Sequence, residues 1–111
     1  MKLAVIGSRN LTVNLADYLC KMEIDELVSG GARGIDRCVR QYANEHKIPL
    51  REFLPDYSRF GRVAPLRRNL EIIAYADAVI AFWDGSSHGT KFVIDACRKQ
   101  SKPITVYRAQ L

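Results

Sequence analysis

Long apolar runs are missing from this chain of 111 residues. None approaches the roughly 20 residues that cross a bilayer, which argues against a membrane-spanning protein. Cysteine is scarce: Cys20, Cys38 and Cys97 are odd in number, widely spaced and form no metal-ligand pair. All three fall in segments of helical spacing and read as small buried hydrophobes, so no metal is expected. The familiar phosphate fingerprints are absent too, since no stretch matches GxGxxG or GxxxxGK[ST]. Repeats, linkers and low-complexity tracts are lacking, and residues 1–111 read as one domain. The segment Met1–Gly7 is too short for a signal peptide and leads straight into a strand, so a cytoplasmic location is expected.

What is present is a regular alternation of strand and helix patterns. Lys2–Gly7 is a compact apolar strand, and Leu11–Met22 carries a helical stripe of Leu11, Leu15, Tyr18, Leu19 and Met22. Glu26–Ser29 is a short second strand. A helix from Ile35 to about His46 places Ile35, Val39, Tyr42 and Ala43 on one face, and Pro49 closes the unit. Leu50–Leu54 reads as a third strand and Pro55–Ala64 as a loop. Pro65 suits the first turn of a helix running to about Ala76. Ala78–Trp83 is apolar at every position, as expected at a sheet centre covered on both faces. Helix Thr90–Gln100 and strand Pro103–Tyr107 complete the pattern. Right-handed crossovers then give an α/β, Rossmann-like, doubly wound parallel sheet of five strands in the order 3-2-1-4-5, with helices on both faces. Strands one and four flank the switch point, where ligands of such sheets bind.

Three polar, glycine-rich junctions lie on that edge: Gly7-Ser8-Arg9, Ser29-Gly30-Gly31-Ala32-Arg33-Gly34-Ile35-Asp36 and Asp84-Gly85-Ser86-Ser87-His88-Gly89-Thr90. Each follows a strand and leads into helical spacing. Backbone N–H donors, hydroxyls and arginines gathered in this way suit an anion such as a nucleotide phosphate. The adjacent Gly30 and Gly31 let a ligand approach the main chain, and Gly34 opens the next helix. Asp36 fits both a helix cap and a ligand contact. Asp84 could hold ribose hydroxyls, and His88 reads either as an exposed loop residue or as a general acid/base. Arg67 and Arg68 fall in a helix's first turn, where cations are disfavoured, which suggests that they face an anion. Trp83 and Tyr57 fit either a structural role or stacking on a base.

The charge is also uneven. Residues 33–68 hold nine arginines and lysines against four acids, and the remainder holds eight of each. The net excess of +5 therefore lies in the middle third, where it would steer anionic ligands, small or polymeric. Arg33, Arg37 and Arg40, at helical spacing, read as a solvated face or as a contact for nucleic acid.

Gly7-Ser8-Arg9, Ser29–Asp36, Arg68-Asn69 and Phe82-Trp83-Asp84-Gly85-Ser86 with Gly89-Thr90 together resemble the SLOG superfamily. They are most similar to its small, single-domain YspA-type branch, and are related to the LOG-type phosphoribohydrolases and the DNA-processing protein A family. The resemblance spans nearly the whole chain. It implies a nucleotide or NAD-derived ligand, with Gly30, Gly31, Gly89 and Thr90 cradling phosphate while Arg68 and Asn69 close over it. It also implies a homodimer. One departure stands out: LOG-type enzymes carry PGGxGTxxE, and the glutamate position here holds Val93, which neither donates a proton nor stabilises an oxocarbenium ion.

The sequence is thus read as a nucleotide-binding or sensor domain. Its ligand-binding set is Gly7, Ser8, Arg9, Ser29, Gly30, Gly31, Ala32, Arg33, Gly34, Asp36, Arg67, Arg68, Asn69, Trp83, Asp84, Gly85, Ser86, Gly89 and Thr90. The first alternative is a nucleoside-phosphate N-glycosidase using Asp84 or His88. The second is a single-stranded nucleic-acid binder.

Overall fold

The computed structural model describes residues 1–108. Its sheet is built around the two most apolar strands. β1 (Lys2–Gly7) and β4 (Ala78–Trp83) lie side by side and parallel, in register from Leu3 opposite Ala78 to Gly7 opposite Phe82. β2 (Glu26–Ser29) and β3 (Leu50–Glu52) extend the sheet beyond β1, and β5 (Ile104–Arg108) extends it beyond β4. The order is β3-β2-β1-β4-β5, all parallel, as the sequence pattern predicts.

Alternation along the strands sends side chains to two separate cores. Leu3, Val5, Leu27, Ile80 and Phe82 pack on one face, under α1 (Ala16–Leu19) and α2 (Ile35–His46). Ala4, Ile6, Val28, Val79 and Ala81 pack on the other, under α4 (Ala64–Tyr75) and α5 (His88–Lys99). The path therefore covers one face while it moves outward from β1 to β3. It covers the opposite face once it returns to β4, as right-handed crossovers require.

Five local expectations shift. The stripe over Leu11–Met22 condenses to the four residues of α1. Leu11, Leu15 and Leu19 are buried as the stripe implies, but Tyr18 is exposed and Met22 only partly buried. However, Leu11 N–H bonds to Ser8 O at 3.2 Å in a turn, and the side chain of Asn14 accepts from Ala16 N–H at 3.3 Å. Thr12, Val13 and Asn14 are weak helix formers, so that turn prevails. β3 stops at Glu52, leaving Leu54 66% exposed. The predicted loop 55–64 instead contains α3 (Tyr57–Phe60), whose cap Asp56 accepts from Arg59 N–H at 3.2 Å, and a 3₁₀ turn over Gly61–Val63. α5 begins two residues early, at His88, which places Gly89 and Thr90 in its first turn. Cys97 is buried, but Cys38 is only partly so and Cys20 is exposed just past the end of α1. Among the described residues no helix is long and apolar enough to cross a membrane.

Candidate functional site

The carboxyl ends of β1, β2 and β4 feed three loops that meet over the first turns of α4 and α5. Between them lies a cavity of about 410 Å³, within the size range of small-molecule sites.

The first loop is fixed by Ser8, which is almost fully buried. Its N–H donates to Phe82 O at 3.1 Å, and its hydroxyl accepts from Asp84 N–H at 3.3 Å. One serine thus ties the first loop to the third across the switch point. Gly7 allows this approach, because a Cβ there would stand 2.8 Å from Phe82 O.

The second loop is folded around Asp36, a carboxylate only 7% exposed. Its Oδ2 accepts from Ala32 N–H at 3.0 Å, while the nearby Ser29 hydroxyl accepts from Gly31 N–H at 3.4 Å and favours the charged carboxylate. The loop can turn back this tightly because Gly34 takes a φ of 67°, with the backbone of Ser8 and Arg9 pressed against it. Burial pushes the Asp36 carboxyl above the ordinary carboxylate range, against the opposing pull of Ala32 N–H and the Arg68 charge.

Arg68 comes from α4 and is only 9% exposed. Its Nε donates to Asn69 Oδ1 at 2.8 Å, and its Nη1 donates to Gly30 O at 2.7 Å and Phe53 O at 3.4 Å. Gly30 is required by this contact, since a Cβ would lie 2.7 Å from Nη1 and 3.2 Å from Asp36 Oδ2. Among the described residues no carboxylate stands within ion-pair distance of Arg68. Burial lowers the guanidinium's pKa, Asp36 partly offsets this, and the charge of Arg9 lowers it further. Arg68 and Asp36 each lose more to burial than their mutual attraction returns.

The third loop is organised by Asp84. Its Oδ1 accepts from Ser86 N–H and Ser87 N–H, both at 2.8 Å, and these bonds hold its carboxyl at a pKa of about 2. Trp83 Nε1 donates to Ser87 O at 3.1 Å, which pins the loop from below, and Gly85 turns it with a φ of 90°. The Ser87 hydroxyl donates to Thr90 Oγ1 at 3.3 Å.

Of the residues singled out from sequence, Gly7, Ser8, Arg9, Gly30, Ala32, Asp36, Arg68, Asn69, Gly89 and Thr90 line the cavity together. Ser29, Gly31 and Gly34 shape its second loop without lining it, and Trp83, Asp84, Gly85 and Ser86 do the same for the third. Tyr57, Arg33, Arg67 and His88 are exposed outside the lining. Arg40 of the basic stripe is engaged with Glu52 at 2.8 Å, and Arg33 precedes α2 instead of lying on it. Sequence reading passed over Ile6, Asn10, Pro65, Leu66 and Ile72 as lining residues, while Ser87 falls within the stretch Ser86–Thr90 expected to hold phosphate. Asn10 directly follows the quoted Gly7-Ser8-Arg9, Ser87 sits inside the quoted third loop, and Pro65 and Leu66 lie in the first turn of α4, just before Arg68. Val93 also faces the cavity, one turn along α5 from Gly89.

No curated protein and no solved structure matched this chain in the searches. A family model described as YspA, cpYpsA-related SLOG family matches residues 1–60, which include the first two loops of the cavity. That match covers more than half of the chain. The chain belongs to the YspA, cpYpsA-related SLOG family.

Proposed function

We propose that the cavity binds a nucleotide or nucleotide-derived small molecule, with phosphate held against Gly30, Ser87, Gly89 and Thr90 and balanced by Arg68 and Arg9. The observation that carries this reading is the pair of guanidiniums facing one cavity. Neither has an ion-pair partner among the described residues, and Arg68 keeps its charge despite near-complete burial. Charge held in this way is stabilised by an anion forming charge-assisted hydrogen bonds. The open space at Gly89 supports the same reading, since a Cβ there would meet no atom within 4 Å beyond its chain neighbours and its own helix backbone. Asp36 then takes the ribose hydroxyl contact, because the Asp84 carboxylate is engaged by its own loop.

The test is a thermal-shift panel of AMP, IMP, CMP, ADP-ribose, NAD and a short single-stranded oligonucleotide, at low and moderate salt. A ligand of the folded state stabilises it by about 2.7 kcal/mol at a hundredfold excess over Kd. A shift with a small nucleotide that survives moderate salt supports the reading, and no shift with any of them refutes it.

A hydrolase reading is favoured by one observation only: Asp36 is the one carboxylate among the described residues that lines the cavity. An N-glycosidase would have to use it, since Val93 is inert and neither Asp84 nor His88 lines the cavity. Base release from a nucleoside monophosphate that disappears in Asp36→Asn while the nucleotide still binds would establish it.

We also propose the homodimer implied by the resemblance. Val63, Leu66 and Leu70, exposed on and just before α4, would form its contact. A monomer by light scattering would remove it.

A further inference from the structure

One cluster of charge beside the cavity plays no part in this reading. α3 and the following 3₁₀ turn contribute no buried residue, yet Arg59 and Arg62 stand exposed on them. Phe60, partly buried, organises the group: the guanidinium of Arg59 lies 5.1 Å from its ring centroid and that of Arg67 4.7 Å. Stacking engages the face of a guanidinium and leaves its in-plane N–H donors free to fork onto a phosphate. Two like charges held on one ring also repel each other until an anion joins them.

The acids nearby offset this charge only in part, the charge of Arg59 being one of the causes that lower the Asp56 carboxyl's pKa. Asp56 accepts from the Ser58 hydroxyl at 2.6 Å and from Arg59 N–H, while Glu71 is exposed one turn along α4 from Arg67. Neither forms an ion pair with Arg59 or Arg67 among the described residues. The cluster adjoins the main site, since Arg67 lies between Leu66 and Arg68, which both line the cavity. Tyr57, in the same helix as Arg59 and Phe60, is close enough for Arg68 to feel its charge.

We infer that Arg59 and Arg67, held on Phe60, form a second anion subsite that takes a further phosphoryl group of the ligand in the cavity. The ligand class is therefore a nucleoside diphosphate, a nucleoside bisphosphate or a dinucleotide. This rests on the phosphate reading of the cavity itself.

The experiment titrates the full chain with adenosine 5′-monophosphate, 5′-diphosphate and 3′,5′-bisphosphate by calorimetry. The readout is the ratio of Kd values. The wild type should prefer one of the doubly phosphorylated ligands by about tenfold or more, the worth of one added charge-assisted contact. That preference should fall to within about twofold in the Arg59→Ala/Arg67→Ala double variant. Both arginines are exposed, so circular dichroism should show the variant folded, and Phe60→Leu, which removes the ring but no charge, should weaken the preference in part. A wild type that binds the monophosphate with no preference overturns this inference alone. A wild type that binds none of the three, and shifts with none of the nucleotides in the thermal panel, overturns the cavity reading and this one with it. A double variant that keeps its preference but loses affinity for a single-stranded oligonucleotide also overturns the inference, and assigns the arginines to a polymer.

Discussion

Replacing Gly89 by alanine separates the proposed binding site from the fold. Gly89 lies in the first turn of α5 and lines the cavity, and its φ is not positive. A methyl group placed on it would meet no atom within 4 Å beyond its chain neighbours and its own helix backbone. Alanine therefore fits this backbone, and replacing glycine in a helix gains roughly 0.5–1 kcal/mol, chiefly from backbone entropy. For a chain near this length that is a rise of about 2–6 °C in Tm. The same methyl would occupy the room of a phosphate resting on the loop. Losing one hydrogen bond to a charged oxygen, worth about 1.5–3 kcal/mol, weakens binding about 10- to 150-fold. Calorimetry with whichever nucleotide stabilises the wild type, paired with a thermal melt, reads both quantities. Gly30→Ala is the contrast, since its Cβ would stand 2.7 Å from Arg68 Nη1 and should lower stability and affinity together. A Gly89→Ala protein that melts higher and binds as tightly as the wild type would refute the placement of phosphate at this loop.

Arg68→Lys should cost stability despite keeping the charge, because a single ammonium cannot serve Asn69 Oδ1, Gly30 O and Phe53 O at once. Urea denaturation should show a loss of about 1–3 kcal/mol, and an unchanged midpoint would contradict it. Asp36 has a raised pKa in the folded state, so its neutral form is favoured there and the folded chain binds more protons than the unfolded one. Stability should therefore fall as pH rises from about 4 through the raised value. Asp36→Asn should flatten that limb in melts taken across the range. Asp84 behaves oppositely: its contribution, present above about pH 4, is lost as pH falls through about 2. Asp84→Ala should remove that acid limb and increase hydrogen exchange at Ser86 and Ser87. Thiol titration should find Cys20 reacting at once and Cys97 only on unfolding, in keeping with their burial.

The order of the sheet and its central strands are legible in the amino-acid pattern. β1, β2 and β4 are built on the apolar runs Leu3–Ile6, Leu27–Val28 and Ala78–Trp83, because the inner positions of strands covered on both faces are apolar and the loops beyond them turn polar. The crossover rule then fixed strand order, and with it the meeting of three loops at one switch point. Local competition was less legible: Thr12, Val13 and Asn14 shorten α1, while Asp56 caps a helix inside a stretch that reads as loop.

Which polar residues share the cavity follows from packing between segments distant in the chain. Asp84 and Asp36 both sit near a helix start in sequence. Yet Asp84 spends its carboxylate on the N–H groups of Ser86 and Ser87, whereas Asp36 is buried against the cavity near Arg68. Arg67 and Arg68 are neighbours on one turn of α4. The roughly 100° between successive helical residues sends one onto Phe60 at the surface and the other inward to Gly30 O. Spacing along the chain gives a residue its element. The direction its side chain takes depends on packing against residues distant in sequence, and that direction sets which groups can meet a ligand.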